Sequence, residues 1–156
     1  MLVEQLMARP VLCCRPEDTL ATAAQLMWEH DCGFLPVVTD TGAPRAAGVI
    51  TDRDICMCAL FQGKRLCEIN VSDAMAKHAH VCHASDKLAD AEQLMREVRV
   101  RRLPVVDEKD RLVGVISLAD LAQEASFTTN ELDISRSEVG DTLAAICAPA
   151  HKQLAA

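Results

Sequence analysis

The feature that most constrains this chain is that it is written twice. At an offset of 68, Met7 falls on Met75, Cys14 on Cys82, Asp18-Thr19-Leu20-Ala21 on Asp86-Lys87-Leu88-Ala89, and Gln25-Leu26-Met27 on Gln93-Leu94-Met95. Leu35-Pro36-Val37-Val38 falls on Leu103-Pro104-Val105-Val106. The turn that follows is two residues shorter in the second copy, so the offset becomes 66. Gly48-Val49-Ile50-Thr51-Asp52-Arg53-Asp54-Ile55 then meets Gly114-Val115-Ile116-Ser117-Leu118-Ala119-Asp120-Leu121. A fold for this chain is therefore a fold for half of it, used twice.

Each copy reads in the same order. A short helix opens it (Val3–Met7; Val71–Met75), followed by a short extended piece (Val11–Cys13; His80–Cys82). A longer helix comes next, Thr19–His30 and Lys87–Val98. In the second copy Leu88, Ala91, Leu94, Met95 and Val98 recur at helical spacing. Pro16-Glu17-Asp18 and Ser85-Asp86 supply turn and cap residues just before it. Two short β-branched strands follow, Leu35–Val38 with Ala46–Ile50, and Leu103–Val106 with Leu112–Ile116. A last helix starts after Thr51 or Ser117. The predicted fold class is α+β, sandwich-like, with two β-α-β-β-α repeats. Neither copy alone has enough helix to cover its sheet, so packing about a pseudo-twofold axis is expected to bury both sheets in one core. The first repeat takes residues 1–61, a polar linker 62–70, the second repeat 71–125 and a partly ordered tail 126–156. Within that tail, Asp141–Cys147 reads as a short amphipathic helix with Pro149 stopping it.

Composition narrows the function. Half the residues are apolar but only 3% are aromatic, so the core is aliphatic and no stacking platform for single-stranded nucleic acid exists. A net charge of −7 opposes phosphate-backbone binding by the surface at large, yet allows a local basic pocket. No apolar run reaches bilayer-spanning length, and MLVEQLMARP lacks the basic lead and apolar stretch of a secretory signal. The expected location is the cytoplasm, where eight cysteines stay reduced and pack as small hydrophobes.

The repeated octapeptide has two physical readings. Thr51-x-x-Asp54 and Ser117-x-x-Asp120 resemble capping boxes, in which a hydroxyl accepts from a free N–H of the first helical turn and the acid reaches back. The same helix start offers N–H donors and partial positive charge to a phosphate. One side chain can serve both ends.

The tandem motif, with Leu-Pro-Val-Val about a dozen residues upstream each time, resembles the cystathionine-β-synthase-type (CBS) domain pair. The resemblance covers Val3 to Ala125 and extends to stand-alone bacterial CBS-pair proteins. It implies a non-catalytic regulatory module that requires no cofactor. Such a module binds AMP, ADP, ATP or a related adenosyl ligand in two clefts, forms a flat homodimer, and signals to a partner protein that the sequence does not name. By the same resemblance, Thr51 and Ser117 contact phosphate or ribose, and Asp54 and Asp120 the ribose diol. Gly48 and Gly114 let backbone approach closely, and Val11, Leu12 and Val81 line the adenine pocket with Phe34 or Met75 beside them.

The copies differ in charge. Before Leu-Pro-Val-Val the second carries Arg99-Val100-Arg101-Arg102, the first Asp31-Cys32-Gly33-Phe34. Arg101 and Arg102 are expected to give the Ser117/Asp120 cleft the more highly charged ligand. Asp31 is expected to oppose phosphate in the Thr51/Asp54 cleft, where Arg53 and Lys64 are the nearest bases. Two rival readings stand. His78, His80 and Cys82 alternate along an extended segment, and three such donors on one face suit zinc, copper or haem iron. Alternatively, the pair is a structural dimerisation module with vacant clefts. Trp28, at a helix end, reads as a packing or dimer-contact residue.

Overall fold

A computed structural model describes residues 1–39, 42–127 and 134–148. The elements are a 3-10 turn Val3–Gln5, α1 Leu20–Glu29, β1 Phe34–Val38, β2 Ala46–Thr51, α2 Asp52–Gln62, a 3-10 turn Leu66–Glu68, α3 Val71–Ala74, β3 Cys82–His83, α4 Leu88–Val98, β4 Arg102–Val106, β5 Leu112–Ser117, α5 Leu118–Phe127 and α6 Arg136–Cys147. Pro149 lies outside the described residues.

The duplication is kept to the level of register. β1 and β2 pair antiparallel with Pro36 opposite Val49 and Val37 opposite Gly48, and the register shifts between Val37 and Val38. β4 and β5 repeat this with Pro104 opposite Val115 and Val105 opposite Gly114, shifting between Val105 and Val106. Each buried proline stands where its missing N–H interrupts the ladder, which tolerates it beside an irregularity. The extended pieces lie one to three residues later than the sequence predicts. Cys14 bridges Val37 in parallel, and Cys82–His83 pair in parallel with Val105–Val106. Left-handed residues end α1 and α4 at matching positions, Asp31 at φ 48° and Arg99 at φ 56°.

The core differs from the single shared one expected. Two aliphatic clusters form, one per repeat, and the opening segments are exchanged between them. Val3 and Met7 are buried with Cys82, Leu88, Met95, Leu103 and Ile116 of the second repeat. Ile69 and Val71 are buried with Leu20, Leu35, Val37 and Ile50 of the first. Backbone bonds stitch the exchange: Val3 N–H donates to Asp86 O at 2.9 Å and Glu4 N–H to Ala84 O at 3.0 Å. In the other direction Leu20 N–H donates to Ile69 O at 2.9 Å and Val71 N–H to Asp18 O at 2.8 Å. Burying each such aliphatic side chain contributes about 1.5–3 kcal/mol, so each arm holds the other repeat. Ile69 shows why the stretch read as linker is not only linker: it is 1% exposed.

The segment read as a tail contributes α6, which starts five residues before the predicted helix. Ser135 caps it, accepting from Glu138 N–H at 3.2 Å while its own N–H donates to the Glu138 carboxylate at 2.8 Å. It docks on α4 and α5. Thr142 is fully buried and hydrogen-bonded to Glu92, and Arg96 Nε donates to Thr142 Oγ1 at 2.9 Å. Arg96 also pairs with Glu92 at 2.8 Å. Burial pushes the Glu92 carboxyl up, and the Arg96 charge pulls it back down. Among the described residues no helix is long and apolar enough to cross a membrane.

Candidate functional site

Both octapeptides form the capping box. Thr51 N–H and Oγ1–H donate to Asp54 Oδ2 at 2.9 and 2.7 Å, and Asp54 N–H donates back to Thr51 Oγ1 at 3.2 Å. Ser117 and Asp120 repeat the set at 2.8, 2.6 and 3.2 Å. Each aspartate thus orients one hydroxyl at the start of α2 or α5, where the free N–H groups and the helix dipole point outward. Asp54 and Asp120 are half-buried behind the hydroxyls.

The motif glycines admit the exchanged arms. A Cβ on Gly48 would run into the Ala76 carbonyl, and Val49 and Ala76 exchange backbone bonds of 3.1 and 2.9 Å. A Cβ on Gly114 would instead meet the Met7 side chain, and Ala8 bridges Val115. The close approach predicted at both glycines is therefore made by the chain itself.

The Thr51 end opens into a cleft of about 580 Å³ between the repeats. The first repeat supplies Phe34, Val49, Thr51, Asp52 and Arg53, and the second supplies His78, His80, Arg99, Arg101, Arg102 and Pro104. Ile146 of α6 closes one edge. The exchange explains the histidines: the segment after α3 runs along β2 and carries His78 and His80 to the other repeat. It also adds to the expected charge distribution. The sequence offset allots Arg101 and Arg102 to the Ser117 copy and Asp31 to the Thr51 copy. Arg99, Arg101 and Arg102 of the second repeat reach the Thr51 cleft, where with Arg53 they make four arginines. Asp31 lines a separate groove with Trp28, Cys32 and Asp52.

Arg101 and Arg102 also border a smaller pocket, about 300 Å³, at the start of α5. Ser117, Leu118, Ala119 and Ala122 line it, with Val139 and Leu143 of α6 across from them. No base stands at Ala119, where the first repeat has Arg53. Val11, Leu12 and Val81 are half-buried and line neither pocket. Leu12 and Met75 pack instead against the first repeat's core. Sequence reasoning missed His78 and His80 as lining residues of the nucleotide-type cleft. The signal was present, because they follow the arm that Gly48 admits.

The metal triad of the rival reading is not assembled. Cys82 is 3% exposed inside the second core, whereas His78 and His80 are exposed at the cleft. No group of three His, Cys, Asp or Glu side chains suited to a metal ion exists among the described residues. Burial, reinforced by the Asp18 and Asp86 charges, pushes the Cys14 and Cys82 thiols up to about 12. Iodoacetamide at about pH 8, where such thiols are ionised to roughly one part in ten thousand, is expected to spare both. Exposed Cys56, Cys67 and Cys147 are expected to react first, as read by peptide mass spectrometry. Native-state labelling of Cys82 alongside them would mean that the second core is open.

The CBS domain family matches residues 3–59 and 71–126. CBS domain-containing protein YhcV of Bacillus subtilis is 38% identical over 120 residues, covering 77% of this chain and 82% of that protein. A crystal structure of Hypoxic Response Protein I with two coordinated zinc ions superposes with a TM-score of 0.69 at 32% identity, over 79% of this chain and 98% of that one. A structure of CBSX2 in complex with AMP gives 0.68 at 27% identity, over 80% and 96%. The doubled register, the paired capping boxes and these matches together make this chain a member of the CBS domain family, with two repeats.

Proposed function

We propose that the chain is a regulatory, non-catalytic module that binds an adenine nucleotide with two or three phosphates in the Thr51 cleft. The observation that carries this is the convergence of Arg53, Arg99, Arg101 and Arg102 on a hydroxyl-capped helix start in a chain of net charge −7. Guanidiniums chelate phosphate oxygens in a fixed fork, and the start of α2 adds N–H donors. Phe34, Val49 and Pro104 give the cleft an apolar wall for a base. Asp54 does not line the cleft; it holds the Thr51 hydroxyl at the cleft's edge. AMP bound to the relative CBSX2 supports an adenosyl ligand.

The cleft takes Arg53 from one repeat and three arginines from the other, so a bound polyanion bridges them. Its occupancy favours whichever arrangement of the repeats brings those charges together, and the shift is limited by the ligand's preference between arrangements. A partner protein in the cytoplasm reads that arrangement. The zinc reading has less support: Hypoxic Response Protein I carries two coordinated zinc ions, but the Cys82 side chain of this chain is buried away from His78 and His80.

A thermal-shift screen of the full chain against AMP, ADP, ATP, S-adenosylmethionine, NAD and zinc tests this reading. ATP at about one hundred times its Kd stabilises by about 2.7 kcal/mol. That raises Tm by roughly 5–10 °C in a chain of this size. The expected order is ATP above ADP above AMP, with cationic S-adenosylmethionine weakest. A response to zinc alone, or to no nucleotide, rejects the proposal.

A further inference from the structure

α6 lies beyond the residues that the CBS family matches, yet it borders the pockets at both Thr51 and Ser117. Its two ends are held unequally. At the N-terminal end Arg136 donates to the Ala125 and Ser126 carbonyls at 3.3 and 2.9 Å, and Ser135 closes the cap. Midway, Thr142 is fully buried and bonded to Glu92 and Arg96, and Arg96 also reaches the Glu138 carbonyl at 3.5 Å. Past Thr142 the hold is slighter. Leu143 is 45% exposed, Ile146 is half-buried at the edge of the Thr51 cleft, and Cys147 is exposed. Among the described residues, the one side-chain hydrogen bond on this last turn runs from Arg101 Nη2 to Cys147 Sγ, at 3.3 Å.

Arg101 therefore has two calls on it. It lines the Thr51 cleft with Arg53, Arg99 and Arg102, and it anchors the end of α6. We propose that the last turn of α6, residues 143–147, reads the occupancy of the Thr51 cleft. It is latched to Arg101 when the cleft is empty and released when a polyphosphate takes that guanidinium. Between the two acceptors the phosphate wins, because it is anionic and matches the guanidinium fork, whereas a thiol sulfur is a weak acceptor. The hinge follows Thr142, whose bonds to Glu92 and Arg96 keep the rest of the helix docked. Release uncovers Ile146, which packs on the second core when the turn is latched. Helix and ligand compete for one side chain, and linkage makes the competition reciprocal. Weakening the latch tightens the ligand, and the ligand loosens the latch by the same factor. This inference rests on the nucleotide reading of the cleft and adds to it the segment that moves.

Calorimetric titration and amide hydrogen exchange of the full chain test it together. Cys147→Ala removes the acceptor at an exposed position and is expected to tighten ATP about fivefold, the worth of one hydrogen bond. Cys147→Ser keeps an acceptor there and is expected to stay within about twofold of the parent chain. In the parent chain, saturating ATP is expected to speed exchange of residues 143–147 about fivefold and to leave residues 136–142 unchanged. Arg101→Ala is expected to give the same acceleration with no nucleotide present. ATP that binds the parent and Cys147→Ala equally, or that leaves exchange at residues 143–147 unchanged, overturns the latch and leaves the nucleotide site standing. Parent-like exchange at residues 143–147 in Arg101→Ala overturns the latch whatever the ligand. Failure of ATP to bind the parent chain rejects the nucleotide reading, and the coupling with it.

Discussion

Arg101→Glu with Arg102→Glu is expected to weaken ATP binding at least about 100-fold, because each charge-assisted hydrogen bond to phosphate contributes about 1.5–3 kcal/mol and each glutamate adds repulsion. Both side chains are exposed, so the fold is expected to tolerate the change. These arginines border the pockets at both Thr51 and Ser117, so the double variant does not by itself name the cleft. Arg53 and Ala119 separate them. Arg53 lines the Thr51 cleft and Ala119 the Ser117 pocket at the matching position. Arg53→Glu is expected to cost ATP about tenfold, one lost contact, while Ala119→Glu leaves affinity within about twofold. The reverse pattern would place the polyphosphate at Ser117.

Gly48→Ala is expected to destabilise the fold by about 3 kcal/mol, and Gly114→Ala by about 1 kcal/mol, in urea unfolding. The two glycines hold the same register position, opposite Val37 and Val105, so strand propensity acts equally on both. What differs is the neighbour. At Gly48 a methyl meets the Ala76 backbone carbonyl, which accepts from Val49 N–H while the Ala76 N–H donates back to Val49 O. At Gly114 it meets Met7 Sδ, Cγ and Cβ: a new rotamer clears the first two, and Cβ, at 3.1 Å, has to give by only a few tenths of an ångström. Equal costs would mean that the Ile69–Ala76 arm moves as freely as a methionine side chain, against the exchange described above.

Much of the fold is legible in the sequence because period and punctuation agree. α4 declares itself through Leu88, Ala91 and Met95, and the hairpins through short β-branched runs joined by polar turns. The Thr51–Asp54 and Ser117–Asp120 boxes are legible as caps for the same reason: the relevant contacts lie three residues apart. What the sequence hides is the exchange. Val3 looks as ready to pack on its own repeat as on the other, since the copies present matching apolar faces. Only the three-dimensional path shows the arms crossed. The crossing moves charge as well. Arg99, Arg101 and Arg102 belong to the second copy in the alignment, yet in space all three also line the cleft at the first copy's Thr51. His78 and His80 follow the same rule, which dissolves a metal triad that alternation along one strand suggests. The docking of α6 hides for a different reason: Thr142 is an ordinary polar residue until Glu92 and Arg96 are known to face it.

The most direct test of the central claim is isothermal titration of ATP and of AMP into the full chain at low and high salt. Four guanidiniums on a polyphosphate are screened by ions, whereas the adenosyl contacts shared by both ligands are not. ATP is expected to bind at least about tenfold more tightly than AMP at about 0.05 M salt, with the gap shrinking towards equality near 0.5 M. Equal affinities at low salt, or a gap that salt does not change, would contradict a polyphosphate site built from the arginines of both repeats.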